Sequence, residues 1–201
     1  MGLGSVDVQH DGKAQGSDLE RGLSRHQGRG DEMSFDTCFA KLIGFEGGYQ
    51  CDKMDRGNWT GGVIGQGELK GTKFGISAAS YPELDIQNMT VEKAKEIYLL
   101  DYWNRCGCDL VSDAVAYCIF DMAVNSGQTA AIKAIQTALG IQVDGIFGDQ
   151  TKAHLQGADQ GFLFRAINGS RLSLITSVDD NRWLKFGRGW VNRVAAILKA
   201  V

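Results

Sequence analysis

A glycine-rich segment at residues 44–75 constrains the fold of this chain more than any other feature. Ten of the 27 glycines lie there, among mostly polar residues. Each glycine inside a helix costs roughly 1 kcal/mol relative to alanine, so a single helix cannot run through the segment. We predict loops and a short, irregular β-hairpin, with helices before and after them.

Helical periodicity prevails in the rest of the chain after residue 33. Apolar residues recur every three or four positions after Ser34, Thr90 and Ser112, each of which suits the N-cap of a helix. Another such run ends at Gly140, and a last helix is predicted from about residue 189 to 199. The predicted fold class is therefore mainly α, with the glycine-rich loop and hairpin region forming one side of a cleft.

Residues 1–33 differ in composition from the rest of the chain. They contain scattered charges and seven glycines, with almost no apolar periodicity. This composition is typical of a disordered N-terminal extension or a tag, and we expect no packed element there.

Charge and hydropathy exclude several kinds of partner. The formal net charge is −3, so the basic surface of a nucleic-acid-binding protein is missing. No stretch approaches the roughly 20 apolar residues of a membrane-spanning helix, so stable membrane insertion is not expected. The first thirty residues lack the apolar core of a secretory signal, and we expect the chain to be made in the cytoplasm without a signal peptide.

The cysteines indicate free thiols rather than a disulfide framework or a metal site. Their number is odd, and the chain is long enough to form a core without crosslinks. No second cysteine pair or neighbouring histidine completes a zinc-binding set, so no metal and no cofactor is expected. The five cysteines are Cys38, Cys51, Cys106, Cys108 and Cys118.

Carboxylates remain as the candidate catalytic groups, because the chain has neither a nucleophile elbow nor a phosphate-binding glycine fingerprint. The first predicted helix ends at Gly47-Gly48, so Glu46 lies on its last turn. There the apolar face of the helix would desolvate the carboxyl group, raise its pKa and suit it to act as a general acid. Asp52 and Asp55 follow in the polar loop, where a second carboxylate would stay ionised. This pair of environments is typical of glycoside hydrolysis, and Tyr49 and Trp59 offer aromatic faces for stacking on sugar rings.

Four strings of sequence resemble glycoside hydrolase family 108. This family contains lysozyme-like N-acetylmuramidases of phage lysis cassettes and bacterial secretion systems. The similarity extends over about residues 34 to 199 and implies a lysozyme-like fold. The strings are Glu-Gly-Gly-Tyr at 46–49, Gly-Asn-Trp-Thr-Gly-Gly at 57–62, Gly-Glu-Leu-Lys-Gly-Thr-Lys-Phe-Gly-Ile-Ser at 67–77 and Phe-Asp-Met-Ala-Val-Asn-Ser-Gly at 120–127.

The resemblance implies roles for individual residues. Glu46 matches the catalytic glutamate, the general acid. Asp55 falls at the aspartate position of the spacing seen in phage-type lysozymes, although Asp52 remains a rival for the second carboxylate. The threonine position of that spacing falls on Gly61, one residue after Thr60.

Thr72 is favoured over Thr60 as the third catalytic residue, because it precedes Lys-Phe-Gly-Ile-Ser as it does in the family. Substrate contacts are expected from a set of aromatic and polar residues in the matched strings and the loop between them. These are Tyr49, Asp52, Trp59, Phe74 and Asn125.

The stretch from residue 130 to 151 resembles the predicted peptidoglycan-binding region found in this same family. We therefore divide the chain into an extension at 1–33, a catalytic lysozyme-like region at 34–127 and a C-terminal helical lobe at 128–201. An alternative interpretation of the Asp144-Gly145 turn in that lobe is a purely structural connection between helices.

The expected activity is cleavage of the β-1,4 bond between N-acetylmuramic acid and N-acetylglucosamine, for cell lysis or wall remodelling. The alternatives are a lytic transglycosylase and a non-catalytic peptidoglycan-binding module. We expect a monomer whose partner is bacterial peptidoglycan in the periplasm or cell wall. A holin or a secretion system would supply the export route.

Overall fold

The computed structural model describes residues 34–43 and 48–199. Residues 1–33, 44–47 and 200–201 lie outside the described part, and with them Glu46 and the predicted N-terminal extension. The chain divides into two compact units, with the boundary between Asp101 and Tyr102. This boundary falls inside the predicted catalytic region 34–127, whose extent stays a prediction.

The first unit begins with helix α1, Phe35–Ile43. The Ser34 hydroxyl accepts a hydrogen bond from the Thr37 backbone N–H at 3.4 Å, which confirms Ser34 as its N-cap. Phe35, Cys38 and Phe39 form the buried face, as the spacing predicts. The prediction that this helix continues to Gly47 lies outside the described residues.

The segment after α1 is irregular, as its glycines predict. It contains a short 3-10 helix, Arg56–Asn58, and two strands, β1 (Thr72–Lys73) and β2 (Ile76–Ser77). The strands are antiparallel, with Thr72 opposite Ser77 and Lys73 opposite Ile76.

One more α-helix lies in the first unit, after a run of turns at 78–90. Helix α2, Val91–Ile97, is capped by the Thr90 hydroxyl, which accepts from the Lys93 N–H at 3.2 Å and confirms the predicted start. A π-helical turn, Tyr98–Asn104, follows α2 and runs across the boundary between the units. Lys95 of α2 pairs with Asp36 of α1 at 2.8 Å.

The second unit consists of helices. After a 3-10 turn at Cys108–Leu110 come α3 (Asp113–Ser126), α4 (Gln128–Leu139), α5 (Asp149–Gln156), α6 (Gln160–Thr176) and α7 (Asp180–Lys199). Helices α3, α4 and α6 pack against one another, and α7 packs against α6. Together with the small two-stranded sheet, this confirms the prediction of a mainly α fold.

Glycines with positive φ lie at the C-terminal ends of two of these helices. Gly140 caps α4 with φ 66°, as predicted, and Gly127 lies between α3 and α4 with φ 90°. The predicted start of the last helix at about residue 189 is wrong, because α7 begins at Asp180. A Cβ on Gly187 would lie 2.5 Å from Cε3 of Trp183, so this glycine makes room for a tryptophan ring inside the helix and does not break it.

A buried ion cluster ties α3, α6 and α7 together. Asp121 accepts from Arg171 Nη2 at 2.6 Å and from Arg193 Nη2 at 2.6 Å, and Asp121 and Arg171 are each only 2% exposed. The Arg193 guanidinium turns inward to this carboxylate, whereas Lys185 and Arg188 of the same helix are exposed.

All five cysteines are free thiols, which confirms the prediction. Cys51 is exposed and the other four are buried; burial raises the pKa of Cys106 and Cys118 to about 12. Among residues 34–43 and 48–199, no helix is long and apolar enough to cross a membrane.

Candidate active site

Asn58 is the centre of a polar cluster in the glycine-rich segment, and it is fully buried. Its Nδ2 donates to the Asp52 carbonyl oxygen at 2.9 Å and to Gln50 Oε1 at 3.2 Å. Its Oδ1 accepts from Thr72 Oγ1 at 2.7 Å and from Gln50 Nε2 at 3.3 Å. Its backbone carbonyl accepts from the Gly71 N–H at 3.1 Å. One amide side chain therefore holds three separate stretches of irregular backbone together.

Asp55 joins this cluster through Gln50. The Asp55 side chain caps the 3-10 helix, with Oδ1 accepting from the Gly57 N–H at 2.9 Å. Its Oδ2 faces Gln50 Nε2 at 3.5 Å, and the residue is half-buried. The backbone thus fixes one oxygen of the carboxylate while the other points toward the side chains that surround Asn58.

The Asp52 carboxylate has a different role in the loop. Its Oδ1 accepts from the Met54 N–H at 2.9 Å, which closes an Asx turn, and the residue is exposed. Only the backbone carbonyl of Asp52 reaches Asn58. Of the two rival carboxylates, Asp55 is the one that the structure brings to the polar cluster.

The hydrogen bonds of the two rival threonines also give them different roles. Thr72 lies on β1, pairs with Gln50 through both backbone hydrogen bonds and donates its hydroxyl proton to Asn58. The Thr60 hydroxyl instead accepts from the Glu68 N–H at 2.8 Å and braces the loop. A Cβ on Gly67 would lie 2.3 Å from Thr60 Oγ1, so glycine is needed for this close approach.

Two aromatic residues predicted to bind sugar lie next to the cluster. The Tyr49 ring is 38% exposed and packs over Gly71, where a Cβ would come within 2.7 Å of Cε2. A side-chain hydrogen bond with Cys51, together with partial burial, raises the pKa of Tyr49 above its usual value. The Trp59 ring is half-buried, and its Nε1 donates to the Lys53 carbonyl at 3.0 Å.

A cavity of about 350 Å³ opens beside Tyr49. Leu69, Lys70 and residues 83–87 form its other walls. Hydrogen bonds from Asn88 lower the pKa of Asp85, so this wall carries a fixed negative charge at neutral pH. The cavity has the size of a pocket for a small polar group and continues the surface that Tyr49 begins.

Phe74 occupies the turn between β1 and β2. Phe74 and Gly75 have φ values of 52° and 75°, so the hairpin has a two-residue turn with both central residues in the left-handed region. A bulky residue in this region is a true outlier and costs about 1–3 kcal/mol. The Tyr98 hydroxyl donates to the Phe74 carbonyl at 3.0 Å and helps to hold the turn, while the Phe74 ring remains half-buried.

Two predicted site residues remain, Asn125 and Glu46. Asn125 lies in the last turn of α3, in the second unit, where its Nδ2 donates to the Asp121 carbonyl at 2.7 Å. Glu46 is outside the described residues, three positions before Tyr49. The assignment of both to the site stays a prediction.

Gln50 and Asn58 were missed by the sequence analysis, although they organise the cluster. Asn58 lies within one of the matched strings, but nothing in a Gly-Asn-Trp sequence shows that its amide is buried. Gln50 carries no signal beyond its place after Tyr49. Within the described ranges, no group of histidine, cysteine and carboxylate side chains is arranged to hold a metal ion.

A helical body with a polar site on a glycine-rich loop is the architecture expected of a lysozyme-like hydrolase. Residues 39–127 match the family model described as Glycosyl hydrolase 108, and residues 130–195 match the Predicted Peptidoglycan domain. The match of residues 39–127 to glycosyl hydrolase family 108 confirms the resemblance that the motifs predict, and the match to a peptidoglycan-related domain follows it in the chain.

The solved structure of SagA from Brucella abortus is similar to this chain. It has a TM-score of 0.65 and 25% sequence identity, and the match covers 81% of this chain and 90% of that one. No match was found among curated protein sequences. The structural similarity supports the same overall fold across most of the chain.

Proposed function

We propose that this protein is an N-acetylmuramidase that hydrolyses the β-1,4 bond between N-acetylmuramic acid and N-acetylglucosamine in peptidoglycan. Glu46 is the general acid that protonates the leaving oxygen, Asp55 is the second carboxylate, and Thr72 holds the attacking water. The observation that carries the proposal is the Gln50–Asp55–Asn58–Thr72 cluster, which lies directly after the Glu-Gly-Gly-Tyr string.

The hydrogen-bond donors in this cluster can be assigned from chemistry. The Asp52 carbonyl oxygen can only accept, so the Asn58 side chain must turn its Nδ2 toward it. The Asn58 Oδ1 then faces Thr72, whose hydroxyl must donate. The Thr72 oxygen keeps its lone pairs for another donor, and a water molecule is such a donor.

A water held in this way is suited to attack. If its protons point to Thr72 Oγ1 and Asp55 Oδ2, its lone pair is directed away from both and toward an incoming sugar. Asp55 would take the proton as the bond forms, or stabilise the positive charge that develops on the sugar ring. The Gln50 amide, which donates to Asp55 Oδ2, sets the position of that carboxylate.

Matched substitutions test these roles. We expect Asp55→Asn to lower kcat on purified murein by at least about 100-fold, since it removes a general base or charge stabiliser, whereas Asp52→Asn should change it less than threefold. Thr72→Val should lower kcat and Thr60→Val should mainly lower stability. Equal losses for Asp52→Asn and Asp55→Asn would contradict the assignment.

The products distinguish hydrolysis from transglycosylation. A lytic transglycosylase uses the muramyl 6-hydroxyl in place of water and leaves 1,6-anhydro ends, whereas a hydrolase leaves reducing ends. A Thr72 hydroxyl that accepts a hydrogen bond from water favours hydrolysis. Mass spectrometry of digested murein identifies which of the two kinds of end is formed. Anhydro ends in the wild-type digest would refute the muramidase proposal.

A variant of the proposed acid separates an enzyme from a binding module. Purified Glu46→Gln should sediment with murein sacculi as the wild type does, but should not clear them. If both proteins clear sacculi equally, Glu46 is not the acid. If neither clears them although both bind, the chain is a non-catalytic binding module.

The setting of the reaction is part of the proposal. The peptidoglycan-related domain at 130–195 supports peptidoglycan as the substrate. We place the action of the protein in the periplasm or cell wall, reached through a holin or a secretion system. Fractionation of cells with and without the holin or the secretion system would test that route.

A further inference from the structure

The last helix, α7, carries an apolar stripe on its exposed side. Leu184, Val191 and Leu198 are 83%, 36% and 44% exposed, and they follow one another at intervals of seven residues. Residues seven apart on an α-helix lie within about 20° of each other, so the three side chains form one line along the helix. The buried side of α7, formed by Gly187, Val194 and Ile197, lies to one side of this line.

Positive charges border the stripe. Lys185, Arg188 and Lys199 are exposed and lie on the side of the stripe away from the buried face. Asp180 is the single acidic residue of the helix, so these three cations and one anion give a local charge of +2. The whole chain has a net charge of −3, so this charge is concentrated on one helix.

Two aromatic residues of α7 lie outside the stripe. Trp183 is 38% exposed, and its ring packs against Gly187 on the buried side of the helix. Lys185 Nζ lies over the ring of Phe186, 5.0 Å from the ring centroid. We call the surface formed by Leu184, Val191, Leu198 and these bordering cations the α7 outer face.

We propose that the α7 outer face docks on the surface of a bilayer that contains anionic lipid. The helix lies parallel to the membrane, with the apolar stripe at the boundary between headgroups and acyl chains and the cations on lipid phosphates. Helices with an apolar stripe of leucine and valine beside lysine and arginine bind membranes in this way. No helix crosses the bilayer in this arrangement, and the glycoside site is not involved.

A second copy of the chain and peptidoglycan fit the α7 outer face less well than a membrane does. In a two-fold dimer built on this stripe, the bordering cations of both copies would face one another, and like charges repel. Three apolar side chains also cover far less than the roughly 1,000 Å² that a stable protein interface buries. Peptidoglycan could pair with the cations, but it offers no apolar surface for a leucine that is 83% exposed.

Co-sedimentation with vesicles tests the proposal. We expect the full chain to bind vesicles of phosphatidylglycerol and phosphatidylethanolamine and to bind phosphatidylcholine vesicles much less. Lys185→Gln together with Arg188→Gln should weaken binding by about thirtyfold, since each cation near an anionic surface contributes about fivefold. The matched control, Lys133→Gln with Lys152→Gln on the exposed sides of α4 and α5, should change binding less than twofold.

A second variant tests the apolar part. Leu184→Ser with Val191→Ser should weaken vesicle binding at least tenfold while cleavage of soluble murein fragments stays unchanged. Equal binding to neutral and anionic vesicles, or no effect of either double variant, would overturn the proposal. Light scattering after size exclusion covers the remaining case: a dimer that Leu184→Ser dissociates, without vesicle binding by the wild type, would assign the face to self-association instead.

Discussion

Replacing Asn58 by aspartate tests the central cluster with almost no change in shape. The substitution exchanges the Nδ2 donor for an oxygen, which then faces the Asp52 carbonyl and Gln50 Oε1, at distances of 2.9 and 3.2 Å in the wild type. Two hydrogen bonds are lost and two acceptors are left opposed in a fully buried place. Each such unsatisfied group costs roughly 1–3 kcal/mol, so we expect Asn58→Asp to lower the free energy of unfolding by about 2–6 kcal/mol at pH 7.

The effect of this substitution should depend on pH, and the sign follows from the surroundings. A new carboxyl group facing acceptors is more favourable when protonated, because it can then donate to the Asp52 carbonyl. Its pKa in the folded state therefore lies above the roughly 3.9 of an unfolded aspartate. The protonated carboxyl therefore contributes to the stability of the variant below the unfolded pKa. This contribution is lost as the pH rises through the folded pKa. The gap to the wild type should widen between about pH 4 and pH 7.

Thermal unfolding followed by circular dichroism measures both effects. For a chain of this size, a loss of about 2–6 kcal/mol lowers Tm by about 4–24 °C. Asn192→Asp, on the exposed side of α7, is the matched control and should shift the stability by less than about 0.5 kcal/mol. An unchanged Tm for Asn58→Asp, or a loss that is the same at pH 4 and pH 7, would refute the donor assignments.

Three further predictions concern the loop, the helical body and the hairpin. Gly65 and Gly67 both have φ 79°, but a Cβ added at Gly65 would have open space, whereas one added at Gly67 would lie 2.9 Å from the backbone N of Gly61. Gly67→Ala should therefore lower Tm clearly more than Gly65→Ala. Equal shifts would contradict the close approach. Asp121→Ala leaves the buried guanidinium of Arg171 uncompensated and should cost about 3–5 kcal/mol in urea unfolding. Phe74→Asn relieves the backbone strain of the positive φ and should leave the stability unchanged or raise it by up to about 1 kcal/mol. We also expect KM for murein to rise. A lower stability with an unchanged KM would show that the ring serves packing alone.

The helices were predictable where a local signal and the tertiary packing agree. Ser34 and Thr90 cap their helices through side-chain hydrogen bonds, and Gly140 ends α4 in the left-handed conformation. The start of α7 was mispredicted because two glycines in its middle have poor helix propensity. A contact between Trp183 and Gly187 outweighs that propensity, and such a contact cannot be read from the order of residues.

The chemistry of the loop was predictable only as a choice among residues. The motifs placed an aspartate and a threonine near the proposed acid, but two candidates remained for each. The structure separates them by the use of their side chains: Asp52 closes an Asx turn and Thr60 braces a loop, while Asp55 and Thr72 meet the cluster around Asn58. These assignments depend on backbone conformation, which a glycine-rich sequence leaves open.

Phe74 shows how a functional requirement can conflict with local preference. The hairpin turn needs two residues with positive φ, and asparagine or glycine would adopt that conformation at little cost. The chain instead has phenylalanine in the first position, with φ 52° and a half-buried ring, next to the strand that carries Thr72. Strain of about 1–3 kcal/mol persists only where the surroundings hold it in place. Here Tyr98 holds the turn carbonyl, and a ring fixed beside the proposed water-binding threonine is a reason for the chain to keep the strained residue.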